Sequence, residues 1–157
     1  MNGLPRALRR DAGTTGEPPA RLRIAISMAI LKQLEAHCLG ALPEEGCGLL
    51  LGHREDPRAS VTQAWPARNV RASVDRFEIS PETVLAADRA ARAAGQLLLG
   101  AWHSHPGGLA VPSDTDRAEA WPDWLYIIVG LADPARPELR AWRLLSEDFV
   151  EDEVEIV

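Results

Sequence analysis

Two histidines one residue apart, His103 and His105, are followed after seven residues by Ser113-Asp114-Thr115-Asp116, and these residue types at this spacing can hold a metal ion. The run Gln96-Leu97-Leu98-Leu99-Gly100-Ala101-Trp102 leads directly into His103 and reads as a buried strand. Residues two apart on a strand share a face, so His103 and His105 point the same way and Ser104 points the other. Pro106, Gly107, Gly108 and Pro112 break the strand. Ser113 then opens a segment of good helix formers, Arg117 to Ala120, with Ser113 and Asp116 on one face of the first turn. If the loop folds back, Asp116 is a third ligand and the fourth position on a zinc ion is left for water, the pattern of a catalytic site rather than a structural one. A water on zinc has its pKa lowered to about 7, but attack on an amide still needs a base, and Glu45 could be that base.

Each piece also has a plainer reading. Ser113-x-x-Asp116 is a capping-box-like helix start, which is compatible with a ligand role. A His-x-His on a strand is more often an imidazole hydrogen-bonded in the core than a metal site. Glu45 could be an exposed loop acid, as Glu44 reads to be after the helix end and turn at Leu42-Pro43. The metal-site reading draws its weight from the conjunction.

That conjunction resembles the JAMM (MPN-plus) metalloprotease family, whose pattern is a glutamate followed downstream by His-x-His, seven residues and Ser-x-x-Asp. Pro43-Glu44-Glu45-Gly46-Cys47-Gly48-Leu49-Leu50-Leu51-Gly52 resembles the family's glutamate-bearing turn and following strand, and alignment on Cys47-Gly48-Leu49 selects Glu45 over Glu44. Asn69, ahead of Phe77-Glu78-Ile79-Ser80-Pro81, also sits where similar members carry an asparagine. The resemblance covers roughly residues 22–157, with no ligand missing as in the scaffold-type MPN subclass. It implies one zinc ion (Zn2+) held by His103, His105 and Asp116, a water activated by Glu45, and a hydrogen bond from Ser113 to the oxyanion at the scissile carbonyl. Loss of such an oxyanion donor typically costs on the order of a hundredfold in rate. Ser104, turned away by alternation, reads as structural. The implied fold class is α/β (α+β), a curved mixed β-sheet flanked by helices with a cytidine-deaminase-like core.

Composition agrees with a small enzyme. A chain of 157 residues, 46% hydrophobic, suits one domain with one core. The formal charge of −6 argues against a nucleic-acid binder. Arg68, Arg71 and Arg76 read as solvated strand-edge residues, or else as a patch that meets an acidic face or tail of a protein substrate. Cys38 and Cys47 form no Cys-x-x-Cys pair, and Cys47 reads as a small buried residue heading a strand rather than a nucleophile. The N-terminus lacks the continuous apolar stretch of a secretory signal, and no run reaches membrane-spanning length, so a cytoplasmic protein with no membrane partner is expected.

The elements that must position these residues follow from patterning. Residues 1–20 mix Arg6, Arg9 and Arg10 with three glycines and three prolines and read as a flexible tail, leaving 21–157 as the domain. Leu22 to Ile26 alternates as a strand, and Ser27 caps a helix through Ile30, Leu31, Leu34, His37 and Cys38 toward Gly40. Gly48–Gly52 and Ser60–Trp65 read as strands joined by a polar turn, His53–Arg58. Arg76–Ser80 reads as a short strand. Ser80-Pro81-Glu82 starts a helix that reaches Ala94 and stops at Gly95. Trp124–Gly130, Leu139–Leu145 and Phe149–Ile156 complete the strands. Trp102 reads as core, while Trp121 and Trp124 divide between a substrate-groove wall and core.

The resemblance also implies a substrate. JAMM enzymes usually cut the amide after the Gly-Gly tail of a ubiquitin-like protein, because a tail without side chains can enter a narrow cleft in extended form and lie beside a strand edge. Only seven residues separate Asp116 from Trp124, too few for the insertion with which polyubiquitin-selective relatives hold a second ubiquitin. The expected partner is therefore a ubiquitin-like or sulfur carrier protein with a Gly-Gly tail, processed by a short, single-domain enzyme. Two other readings stand beside it: an isopeptidase that frees target lysines in a deconjugation or defence pathway, and a non-catalytic module that holds tails without cutting them.

Overall fold

A computed structural model of the protein describes residues 18–157. The flexible tail expected over residues 1–20 falls, for residues 1–17, outside the described residues. Seven strands and three helices follow in the order β1 (Arg23–Ile26), α1 (Met28–Ala41), β2 (Cys47–Glu55), β3 (Arg58–Ala67), α2 (Pro81–Ala93), β4 (Leu97–Pro106), α3 (Asp114–Glu119), β5 (Leu125–Leu131), β6 (Glu138–Leu145) and β7 (Asp148–Ile156). Among the described residues no helix is long and apolar enough to cross a membrane.

The sheet is mixed, as expected, but it is not open. Its strands close into a barrel in the order β1-β3-β2-β4-β5-β6-β7. The four-residue β1 is the closing stave, pairing in parallel with β3 through Arg23↔Arg58 and with β7 through Arg23↔Glu153. A buried ion pair holds its entrance. Asp152 accepts from Arg143 Nε at 2.6 Å and Nη2 at 2.8 Å, and from the Leu22 backbone N–H at 2.8 Å. Breaking a buried pair by removing one partner leaves the other charge stranded. Asp152→Ala is therefore expected to cost about 3–5 kcal/mol in denaturant unfolding, and a loss below about 1 kcal/mol, the range of surface pairs, would show that this contact does not hold the closure.

Apolar runs without alternation arise because β2 and β5 are covered on both faces. Leu50 joins Ile24, Ile26, Trp102, Ile127 and Val129 in a cluster with Leu34 and Cys38 of α1. Its neighbours Leu49 and Leu51 pack with Ala101 and Tyr126 against Ala87 and Ala91 of α2. Trp102 is core, as its strand position requires. Both helices start where the sequence places their caps: Ser27 accepts from the Ile30 N–H and Ser80 from the Thr83 N–H. α2 stops before Gly95, which takes the left-handed φ of +67°.

Three local expectations need correction. Arg76–Ser80 is not a strand. It is an extended connection pinned by Asn69, which donates to the Arg76 carbonyl at 2.9 Å and accepts from the Glu78 N–H at 3.1 Å, while Val70 N–H donates to the Glu78 carbonyl at 2.9 Å. Arg68, Arg71 and Arg76 stand exposed along the whole β3–α2 connection, residues 68–80, rather than on a strand edge, with Arg71 paired to Glu78 at 2.6 Å. The polar turn His53–Arg58 shrinks to Asp56-Pro57, since β2 runs on to Glu55 and β3 begins at Arg58. The polar residues there mark a solvated hairpin end, not a break in pairing.

Candidate metal centre

The site forms where four chain segments meet at one end of the barrel. β4 carries His103 and His105, and its last ladder pair with β2 is Cys47↔His103. This register brings the turn between α1 and β2 alongside the histidines, and Glu45 lies on that turn. Gly48 lets β2 pass close to its neighbours: a Cβ there would overlap the Trp65 carbonyl and the Trp102 ring.

The imidazoles converge, as strand alternation requires. His103 Nε2 lies 3.2 Å from His105 Nε2. Asp116 spans the pair, with Oδ1 at 3.1 Å from His103 Nε2 and Oδ2 at 2.9 Å from His105 Nε2. Glu45 Oε1 approaches His105 Nε2 to 3.9 Å, and Glu45, His103 and His105 each offer an atom within 4.8 Å of the others. Of the two adjacent glutamates, Glu45 is 2% exposed and stands in the cluster, whereas Glu44 is exposed.

α3 is short, and its start serves two ends. Ser113 caps it, accepting from the Asp116 N–H at 3.0 Å, while Asp116 Oδ2 accepts from the Ser113 N–H at 2.9 Å. The same carboxylate that completes this capping box faces the histidines, so the two readings of Ser-x-x-Asp hold together. Ser113 Oγ spends a lone pair on the cap and keeps its proton for another acceptor.

Hydrogen bonding fixes the ring of His105: Nδ1 meets the Leu109 carbonyl at 2.8 Å, so in the neutral ring it is the donor and Nε2 presents its lone pair to the cluster. His103 is held by stacking instead, with the Phe77 ring 4.4 Å away and 21° from parallel. Burial pushes the Glu45 carboxyl up to about 8, and nearby acids add to this against the opposing pull of His105. Without a neighbouring cation it thus keeps its proton at neutral pH. Burial also disfavours the Asp116 charge, but hydrogen bonds from His103 and His105 outweigh it and hold that carboxyl well below the usual carboxylate range. For His105 burial works against the charged ring, and the bond to Asp116 overcomes it.

These residues fit a zinc ion. Donors around one tetrahedral zinc at the usual distance of about 2.1 Å stand roughly 3.4 Å apart, somewhat more than the 3.2, 3.1 and 2.9 Å found among the two Nε2 atoms and the Asp116 oxygens. A cation among them would let both buried carboxylates be ionised together. Glu45 Oε2 and His103 Nδ1, both buried, find no hydrogen-bond partner among the described residues.

Sequence reasoning missed what holds the glutamate turn. Asn69 is buried and donates to the Glu45 carbonyl at 3.1 Å, and the Glu45 N–H donates to the Ser73 carbonyl at 2.8 Å. The asparagine before Phe77 was the available signal, since a side-chain amide can bridge several backbone groups of an irregular segment. The Trp121 and Trp124 rings pack against each other at a tilt of 49° with centroids 4.7 Å apart; Trp121 is half exposed and Trp124 packs against the α2 core.

Comparison with known proteins extends this picture. Residues 27–145 match the family described as prokaryotic homologs of the JAB domain. A desampylase of Haloferax volcanii is 37% identical over 102 residues, covering 64% of this chain and 72% of the relative. A CysO-cysteine peptidase of Mycobacterium tuberculosis is 29% identical over 135 residues, 85% of this chain and 91% of the relative. A probable TtuB-protein conjugate cleaving protease of Thermus thermophilus is 36% identical over 110 residues, 69% and 71% of the two chains. A solution structure from Desulfitobacterium hafniense superimposes with a TM-score of 0.80 at 32% identity, covering 85% of this chain and 92% of that one. With the match spanning every element that contributes to the site, the chain belongs to the prokaryotic JAB-domain family of JAMM-type hydrolases.

Proposed function

We propose that the protein is a zinc-dependent peptidase that hydrolyses the amide after the C-terminal Gly-Gly of a ubiquitin-like, sulfur carrier type protein. The convergence of His103, His105 and Asp116 beside Glu45 Oε2, which has no hydrogen-bond partner among the described residues, carries this reading. In it the catalytic domain spans residues 21–157 on a cytidine-deaminase-like JAMM/MPN core and works in the cytoplasm.

His103, His105 and Asp116 would hold the ion, with His105 kept in register by the Leu109 carbonyl. Zinc, when bound, would supply Lewis acidity and bring a water's pKa to about 7. Glu45 takes the proton of the attacking water on its free oxygen and passes it to the leaving nitrogen. A cation nearby is what lets a carboxyl raised by burial act as a base at neutral pH. Ser113 donates its unused proton to the carbonyl oxygen as charge develops there.

The names of the relatives support a second reading, in which the bond cut joins a modifier to a target lysine: two of them are called a desampylase and a conjugate cleaving protease. Intact-mass analysis of carriers ending in Gly-Gly-Cys, Gly-Gly-dipeptide or a Gly-Gly-lysine isopeptide, with and without a zinc chelator, tests both. Chelator-sensitive trimming to Gly-Gly is expected, and the preferred panel member separates linear from isopeptide cleavage. Uncut panels with zinc bound would sink the peptidase reading and favour a binding module.

A further inference from the structure

The alternation that aims His103 and His105 at the site aims Ser104 away from it, but its fully buried hydroxyl is not merely packed in the core. Ser104 Oγ accepts from the Gly46 N–H at 2.9 Å, and the Ser104 N–H donates to the Gly46 carbonyl at 3.0 Å. The β2–β4 ladder ends at Cys47↔His103. These two bonds carry the attachment one residue further, onto the turn that bears Glu45. α1 closes the other side: a Cβ on Gly46 would come within 3.1 Å of Cys38 Cα and 3.3 Å of Ala41 Cβ. Asn69 and Ser73 hold Glu45 from the side of the β3–α2 connection, but toward the histidine strand one backbone bond alone would let Gly46 pivot about its carbonyl. The hydroxyl supplies a second point of attachment and removes that freedom.

We propose that Ser104 is a positioning residue, whose hydroxyl fixes the Glu45 turn against the strand that presents His103 and His105. One strand triplet thereby sets both the metal donors and their distance from the base. The proposal rests on the peptidase reading above for its kinetic consequence, and on Gly46 for its structural one. Misplacement of a reacting group by about 1 Å can cost on the order of a hundredfold in rate, whereas a serine that only fills space would affect folding alone.

The test compares zinc-loaded wild-type protein with Ser104→Ala, and with the equal-volume pair Ser104→Thr and Ser104→Val, which differ in the hydroxyl. In Ser104→Ala, kcat on a Gly-Gly-extended carrier should fall by roughly ten- to a hundredfold, with KM and zinc per chain unchanged. Hydrogen exchange at the Gly46 amide should accelerate by about tenfold or more while the Leu49–Leu51 amides hold their rates. Ser104→Thr should recover activity and protection that Ser104→Val does not. Unchanged kcat, zinc lost in step with activity, unchanged exchange at Gly46, or equal behaviour of Thr and Val would each overturn the proposal. A wild-type protein that binds zinc yet cuts no carrier overturns the peptidase reading instead, and exchange at Gly46 still decides whether Ser104 holds the turn.

Discussion

Glu45→Gln is expected to keep zinc and abolish turnover, with kcat lower by about 10²–10⁴-fold, the usual contribution of a positioned general base. The amide is nearly the same size as the carboxyl it replaces, and Glu45 holds its place through backbone bonds with Ser73 and Asn69 that the change does not touch. Only the capacity to take a proton disappears. Parallel measurement of kcat and of zinc per chain checks this. Near-normal turnover would move the base role to another group, and Glu44, exposed one residue away, would be the first to examine.

Asp116→Ala should remove zinc and activity together. Its carboxylate lies within 3.1 Å of both imidazoles, so its loss takes away a donor and the negative charge that offsets the ion. Affinity should fall by more than the roughly 10–100-fold typical of changes to groups that only support ligands. The reciprocal half of the α3 capping box, the bond from the Ser113 N–H to the Asp116 carboxylate, goes as well, while Ser113 keeps its own bond to the Asp116 backbone N–H. Asp116→Asn separates the two effects, since an amide oxygen can still accept from the Ser113 N–H while the charge is gone. Titration of zinc into both variants, beside their thermal unfolding, is the measurement. Undiminished zinc binding by Asp116→Asn would show that the two histidines and another donor suffice.

The site was legible in the sequence to the extent that it depends on local periodicity. His103 and His105 share a face because strands repeat every two residues, and Ser113 and Asp116 meet because a helix start brings N-cap and N3 together. Helix caps at Ser27 and Ser80 were legible for the same reason. Long-range contacts were not. The Arg143–Asp152 pair closes the barrel through residues that look like ordinary strand charges, and nothing in their spacing reports that Leu22, 130 residues from Asp152, supplies a third bond. Phe77 was expected on a strand because its neighbourhood has strand composition. The Asn69 side chain satisfies the backbone there in place of a ladder and leaves the ring to stack on His103. Alternation turns Ser104 from the face of His103 and His105, but it cannot say that the Gly46 N–H waits on the far side.

The closed order of the strands also bears on how the protein fails. An open sheet can lose its outermost strand and keep the rest, so damage begins at a margin and spreads inward. A hoop has no margin: β1, with four residues, holds a seam on each side, and losing it opens both. Lesions around Leu22 or Asp152 should therefore be felt at the histidines even though they touch none of the reacting groups. For the same reason an extended peptide cannot simply lengthen the sheet at an outer strand. It must find its backbone partners among the connections that rim the barrel mouth, of which the Asn69–Ser80 segment and the loop from Gly107 to Pro112 border the site.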